Sequence, residues 1–285
     1  MHARLRTFVT IADLHGFGPA ARCLSLTQPA LTKQIQALER DLGGSLFTRG
    51  RHGAALTDFG AALLPQARET VAALDAFTDR AHRLARGEQG RIAVGFGLST
   101  ITLAPRAVAE FRRSYPGVEV ALEDLPSAVQ ADRIRTGRLH AGFVRLPVGD
   151  DLHQRALRRD HLAIASTAAV PPEVTDWLGR QRLVRLARIK GPGLTAQIDE
   201  FCAARNIRPG TLSETHDLQT VLALVAAGVG PALVPATAAR IAPPGITFTG
   251  LPEPEAAWEV GIAWHPAPRS ALVGNFVESA LAVDR

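Results

Sequence analysis

Apolar residues recur at helical spacing from the start of the chain. Leu5, Phe8, Val9, Ile11 and Ala12 predict a helix over residues 4–13, which Gly16 ends. A second helix opens at Pro19, tolerated in a first turn because its missing N–H has no partner there. Ala20, Ala21 and Leu24 give that helix a small packing face. A third begins at Gln28, with Thr27 as N-cap and Pro29 in the opening turn. Leu31, Ile35, Leu38 and Leu42 are expected to face the core. Thr27, Gln28, Pro29, Thr32, Lys33 and Gln36 are left at the helix opening and on its open face. Leu46 and Phe47 pack next, and Thr48-Arg49-Gly50-Arg51-His52-Gly53 reads as a hairpin tip before Leu56.

The pattern changes after Thr57-Asp58, which caps a long helix. Leu63, Ala67, Thr70, Leu74, Phe77, Ala81 and Leu84 are spaced 4, 3, 4, 3, 4, 3, an a/d seam. Pro65 lies near its start, and Gly87-Glu88-Gln89-Gly90 ends it. The seam either joins two copies of the chain or packs on its own second domain. Dimerisation would pair two copies of the N-terminal helices about a two-fold axis.

From residue 91 short apolar runs alternate with helical periods, which predicts an α/β domain. Strands are expected at 91–97, 118–122, 141–144, 162–165, 183–186 and 258–264. Helices are expected around Val108 and Phe111, and at 127–136, 195–204, 218–227 and 270–283. The expected division is a winged helix-turn-helix over 1–58, a linker and dimerisation helix over 59–90, and a ligand-binding domain over 91–285. That last domain splits into lobe I (about 91–161 plus 266–285) and lobe II (about 162–265). Two such lobes leave a cleft where strand ends and helix starts converge. Ser99 and Thr100, Ser127, and Gly191-Pro192-Gly193-Leu194-Thr195 stand at three such places, and their N–H groups and hydroxyls suit a small anion. Taken alone, Ser99 or Thr100 also reads as a helix cap, and Arg145 faces either the cleft or solvent.

Charge sharpens the picture at the N-terminus. The formal charge is only +5, but residues 1–56 hold seven Lys/Arg against three Asp/Glu. Residues 91–285 hold twenty-one against nineteen. The excess sits where two short helices meet at a tight polar turn, the arrangement that places one helix in the major groove. Glutamine reads adenine edges, lysine reaches guanine or phosphate, and the arginines Arg49 and Arg51 suit the backbone or minor groove. The same residues singly would describe an ordinary three-helix surface with a basic loop. Helix, turn, helix and basic wing in succession point to DNA.

Other chemistry is thin. Cys23 and Cys202 read as buried or incidental thiols, with no metal site or cofactor implied. There is no Gly-x-Ser-x-Gly, no Walker A and no His-Glu-x-x-His. His161, His216-Asp217 and the acidic pair Glu123-Asp124 lack catalytic partners in the sequence. A ligand-converting enzyme fused to a helix-turn-helix is the alternative to a sensor. No long apolar run suggests a leader or membrane span, so a soluble cytoplasmic chain is expected.

The stretch Phe17-x-x-Ala20-Ala21, Leu24, Thr27 through Ile35, Leu38-Glu39, Leu42-Gly43 and Leu46-Phe47, continued by Arg49, Leu56-Thr57 and Gly60, resembles the LysR-type transcriptional regulators. Gly137 through Arg145 and Leu222 through Pro235 extend the resemblance along nearly the whole chain. Thr32 and Lys33 stand where the family usually has serine and arginine, and His140 where it has aspartate. Phe143 to Pro147 looks closer to the subgroup that senses aromatic acids and their catabolites. The resemblance implies a bacterial regulator that binds promoter DNA as a homodimer or homotetramer and contacts RNA polymerase. It implies a small effector held by Ser99, Thr100, Ser127, Pro192, Leu194 and Gly228.

Overall fold

The structure, a computed structural model, describes residues 1–48, 54–266 and 270–283. The chain forms two compact units, Met1–Arg83 and Leu84–Arg285.

The first unit opens with α1 (His2–Asp13), α2 (Phe17–Cys23) and α3 (Gln28–Leu42). Phe8, Ile11, Ala20, Leu31, Ile35, Leu38 and Leu46 are buried together. The Phe47 ring stands edge-on to Phe8 and Phe17, each at 5.6 Å. Two polar contacts fix this small core. Buried Thr7 donates its hydroxyl to Gln34 Oε1 at 2.6 Å, and Glu39 Oε1 accepts from the backbone N–H of Leu46 at 2.7 Å. The wing begins as an antiparallel bridge between Phe47 and Leu56. Arg49 and Arg51 lie outside the described residues. One expectation fails here. Leu42 is 37% exposed, because the core closes at Leu38 and the last turn of α3 runs past it. Cys23 is exposed at the end of α2.

Helix α4 (Asp58–Ala85) starts where Thr57 Oγ1 accepts from Gly60 N–H at 2.9 Å. Gly60 is required there: a Cβ would sit 2.2 Å from the Leu46 carbonyl oxygen. The heptad seam divides in the structure. Ala67 is buried in the head's own core and Leu63 packs against it, while Thr70 and Leu74 are half-buried. Phe77, Ala81 and Leu84 are exposed, Phe77 by 70%. The first turns of α4 complete the three-helix core, so the beginning of the seam is not free for another copy. Ion pairs Arg68–Asp13 and Arg6–Asp75 fasten the helix to α1.

The second unit runs β1 (Gly90–Phe96), α5 (Leu103–Ser114), β2 (Val118–Asp124), α6 (Ser127–Arg135), β3 (Ala141–Arg145) and β4 (His153–Ser166). It continues with α7 (Val174–Gly179), β5 (Arg182–Leu186), α8 (Pro192–Ala204), β6 (Gly210–Thr215) and α9 (Leu218–Ala226). It ends with β7 (Ala232–Pro235), β8 (Thr247–Gly250), β9 (Ala257–Trp264) and α10 (Ala271–Val283). Strands β2, β1 and β3 are parallel neighbours, and β9 joins β3 antiparallel. Phe111, Phe143 and Phe276 fill one face of this first lobe, under α5 and α10. The second lobe gathers Ile164, Leu183, Phe201, Leu222 and Val234 around α8 and α9.

Both lobes share two long strands. β4 pairs with β9 from His153 to His161, then with β7 and β8 from Leu162 onward. β9 enters with Trp258 and Val260 in the second core and leaves with Ile262 in the first. This corrects the expected lobe limits: 257–264 belongs to the sheet of the first lobe as well as the second. A register shift between Ala156 and Arg158 marks the crossing.

Candidate functional site

Two places collect the polar residues singled out by the sequence. The first is the open side of α3. Thr27 caps it, accepting from Ala30 N–H at 3.4 Å. Gln28, Pro29, Lys33 and Gln36 are exposed and Thr32 half-buried, at positions i, i+1, i+5, i+8 and i+4 of one strip. Thr32 donates its hydroxyl to Gln28 O at 3.0 Å, which leaves the Gln28 and Lys33 ends unengaged by that bond. The strip is a polar surface carried by a helix whose other side is locked into the core.

The second place is a cavity of about 470 Å³ between the two lobes. It brings together Ser99, Thr100, Ser127, Arg145, Pro192 and Leu194. Gly228 is not among its lining residues. It ends α9 in the left-handed region, with φ 74°, so its glycine is explained by a helix C-terminus. The first-lobe side is built at the carboxyl ends of β1, β2 and β3, which deliver Ser99, Asp124 and Arg145. The start of α8 supplies the second-lobe side.

The hydroxyls are largely engaged in holding the cavity's shape. Thr100 Oγ1 accepts from Gly97 N–H at 3.1 Å and donates to Gly97 O at 3.0 Å. Ser127 Oγ accepts from Arg145 N–H at 3.0 Å. Ser99 Oγ accepts from Trp258 Nε1 at 3.2 Å, a bond that fixes the turn after β1 to β9.

Arg145 reaches across the cleft. Its Nη1 donates to Gly193 O and to Gln197 Oε1, each at 2.9 Å, and its guanidinium lies 3.8 Å above the Trp258 ring. Gln197 is oriented for this by donating Nε2 to Glu255 O at 2.8 Å. Among the described residues, Nε and Nη2 of Arg145 have no hydrogen-bond partner, so one edge of the guanidinium stays open. Burial pulls this guanidinium down to about 10, opposed at longer range by Asp160 and Glu200. Arg145 is therefore a desolvated cation without a directly bonded carboxylate, the electrostatic complement of a small anion.

Sequence reasoning left out four residues that shape this site: Asp124, Lys190, Gln197 and Trp258. Asp124 and Lys190 line the cavity. Burial raises the Asp124 carboxyl above its ordinary value, and Lys190 opposes this. Lys190 is one of only two lysines in the chain, the one signal that marked it. Asp132 and Arg135 also line the cavity, but Arg135 is engaged with Asp151 at 2.6 and 2.9 Å and with Asp132 at 3.0 Å. The Asp151 hydrogen bond raises Arg135, and the same bond holds the Asp151 carboxyl low.

A helix-turn-helix head followed by a hinged two-lobed clamshell defines a ligand-responsive DNA-binding protein. Comparison with known proteins gives the family. Residues 2–61 match the bacterial regulatory helix-turn-helix protein, lysR family, and residues 85–285 match the LysR substrate binding domain. The chain is 34% identical over 270 residues to the HTH-type transcriptional regulator IlvR of Caulobacter vibrioides, covering 92% of this chain and 90% of that protein. It is 28% identical to the regulator AlsR of Bacillus subtilis, covering 96% and 93%. The crystal structure of CbnR, a LysR family transcriptional regulator, superposes with a TM-score of 0.81 at 25% identity, over 98% of this chain and 99% of that one. The chain belongs to the LysR family of transcriptional regulators. It is a DNA-binding regulator with a domain for a small-molecule effector, not an enzyme. Among the described residues, no His, Cys, Asp and Glu group is arranged for a metal ion, and no helix is long and apolar enough to cross a membrane.

Proposed function

We propose that the protein binds promoter DNA through α3 and its wing, and that a small carboxylate in the interlobe cleft controls it. The observation that carries this is Arg145: a half-buried guanidinium with one edge bonded to the second lobe and one edge open. Carboxylates match that edge in a bidentate fork. Apolar surface from Leu98, Phe143, Pro147 and Leu194 suits an aromatic or related acid. Thr27, Gln28, Pro29, Thr32, Lys33 and Gln36 would meet DNA from α3, with Arg49 and Arg51 on the wing.

Because Arg145 links the lobes, a ligand at its open edge favours one lobe arrangement over another. A ligand shifts the equilibrium only by its unequal affinity for the two. The exposed half of the seam, Phe77, Ala81 and Leu84, suits a homodimer, which effector domains extend to a homotetramer able to contact RNA polymerase. The experiment is a calorimetric titration of the full chain with aromatic and aliphatic acids. Micromolar binding of at least one carboxylate supports the reading. Binding confined to uncharged or cationic molecules overturns it.

A further inference from the structure

The cleft contains an acid with nothing to do. Asp124 ends β2, lines the cavity, and is exposed toward it. Among the described residues its carboxylate has no hydrogen-bond or ion-pair partner. Lys190, on the opposite lobe, acts on it only through space. The other acid of the lining, Asp132, is tied to Arg135 at 3.0 Å. The cavity floor thus carries one uncommitted acid and one half-open cation, Arg145.

Their placement follows from the sheet. Asp124 and Arg145 terminate β2 and β3, the two strands that flank β1. Two strand spacings and a two-residue offset in register separate their backbones by roughly 12 Å. Side chains reaching inward from such a separation can grip a molecule of a few heavy atoms at both ends. A plain carboxylate on Arg145 would leave Asp124 as an unpaired like charge on the same floor. A donor group on the ligand would offset that repulsion and replace the hydration Asp124 loses as the cleft fills.

We propose that Asp124 reads a hydrogen-bond donor on the effector, so that the site selects amino- or hydroxy-substituted carboxylic acids over the same acids without the substituent. This rests on the carboxylate reading of the cleft. Lys190 then serves the rim, where it tempers Asp124 when the cleft is empty and adds positive charge near the ligand's carboxylate.

The test is calorimetric titration of the full chain with matched pairs: valine and 3-methylbutanoate, 3-phenyllactate and 3-phenylpropanoate, salicylate and benzoate. In at least one pair the donor-bearing member should bind about tenfold or more tightly. Asp124→Ala should bring that ratio close to one. Asp124→Asn, which keeps an acceptor oxygen and the side-chain volume, should weaken the preference for an ammonium more than for a hydroxyl. Thermal melts establish that each variant is folded, and the asparagine variant decides if the alanine variant is not. Equal affinity within every pair in the wild type, or a preference unchanged in both variants, overturns the proposal while leaving the carboxylate reading intact. Absence of binding by any carboxylate overturns both.

Discussion

Replacing Arg145 with methionine separates the stability of the clamshell from its chemistry. Burial pulls the guanidinium down to about 10, which corresponds to a penalty of about 3 kcal/mol on its charged form. Against this stand two charge-assisted bonds from Nη1, to Gly193 O and Gln197 Oε1, of about 1.5–3 kcal/mol each. The face-on contact with Trp258 adds about 1 kcal/mol. Methionine retains much of the packing on Trp258, and Gln197 still bonds Glu255 O. With the packing on Trp258 kept, the two bonds exceed the penalty by at most about 3 kcal/mol, so stability should fall by no more than about that. Binding has no such cancellation. Loss of the open edge should weaken carboxylate affinity by roughly ten- to a hundredfold. Urea denaturation and calorimetric titration of the full chain measure the two quantities. A variant destabilised by more than about 4 kcal/mol that binds carboxylates as before would refute the reasoning: Arg145 would then be a structural strut and the anion would sit elsewhere.

The remaining predictions concern the other parts of the molecule. Combined replacement of Gln28 and Lys33 by alanine should cost about 1–3 kcal/mol of specific affinity per lost base contact, with little change on scrambled DNA, in quantitative gel-shift titrations. Phe77→Glu should lower the mass seen by light scattering at micromolar concentration, because a charge at this 70% exposed position would be desolvated in a paired seam; an unchanged dimer would place the contact elsewhere. The Asp151 carboxyl is held low by Arg135, so its contribution is present above the ordinary carboxylate range and is lost as pH falls through its lowered value. Asp151→Asn should flatten that acid limb in melts recorded against pH, and an unaltered limb would contradict the assignment.

Much of the head was legible in the sequence because local rules dictate it. Thr27 and Pro29 announce α3, and the Leu31, Ile35, Leu38 spacing gives its buried side. Leu42 escaped because periodicity marks a stripe without saying where the core stops. The seam misled in part for a related reason: Leu63 and Ala67 fit both a heptad and the head's own core, and only tertiary packing chooses. In the second unit the short apolar strands were recognisable, but most of β4 was not. Its first half, His153-Gln154-Arg155-Ala156-Leu157-Arg158-Arg159, is arginine-rich and broken by the register shift at Ala156/Arg158, so period-two alternation is lost. β6 and β8 are short, with few buried side chains, and α7 is only six residues long. Ser99, Ser127, Arg145, Pro192 and Leu194 were legible as strand ends and helix starts. Gln197 and Trp258 meet them only through the crossing of β4 and β9, and Asp124 through the pairing of β2 with β1, which no local pattern encodes.

DNA footprinting with the full chain on promoter DNA it protects, repeated across a titration of a carboxylate that calorimetry shows to bind, tests the coupling of cleft to head most directly. The expected result is sequence-specific protection whose extent or pattern changes with ligand. Arg145→Met should keep the protection and lose the change at the same ligand concentration. Protection without sequence preference, or a footprint identical with and without bound carboxylate, would contradict control of the DNA-binding head from the interlobe cleft.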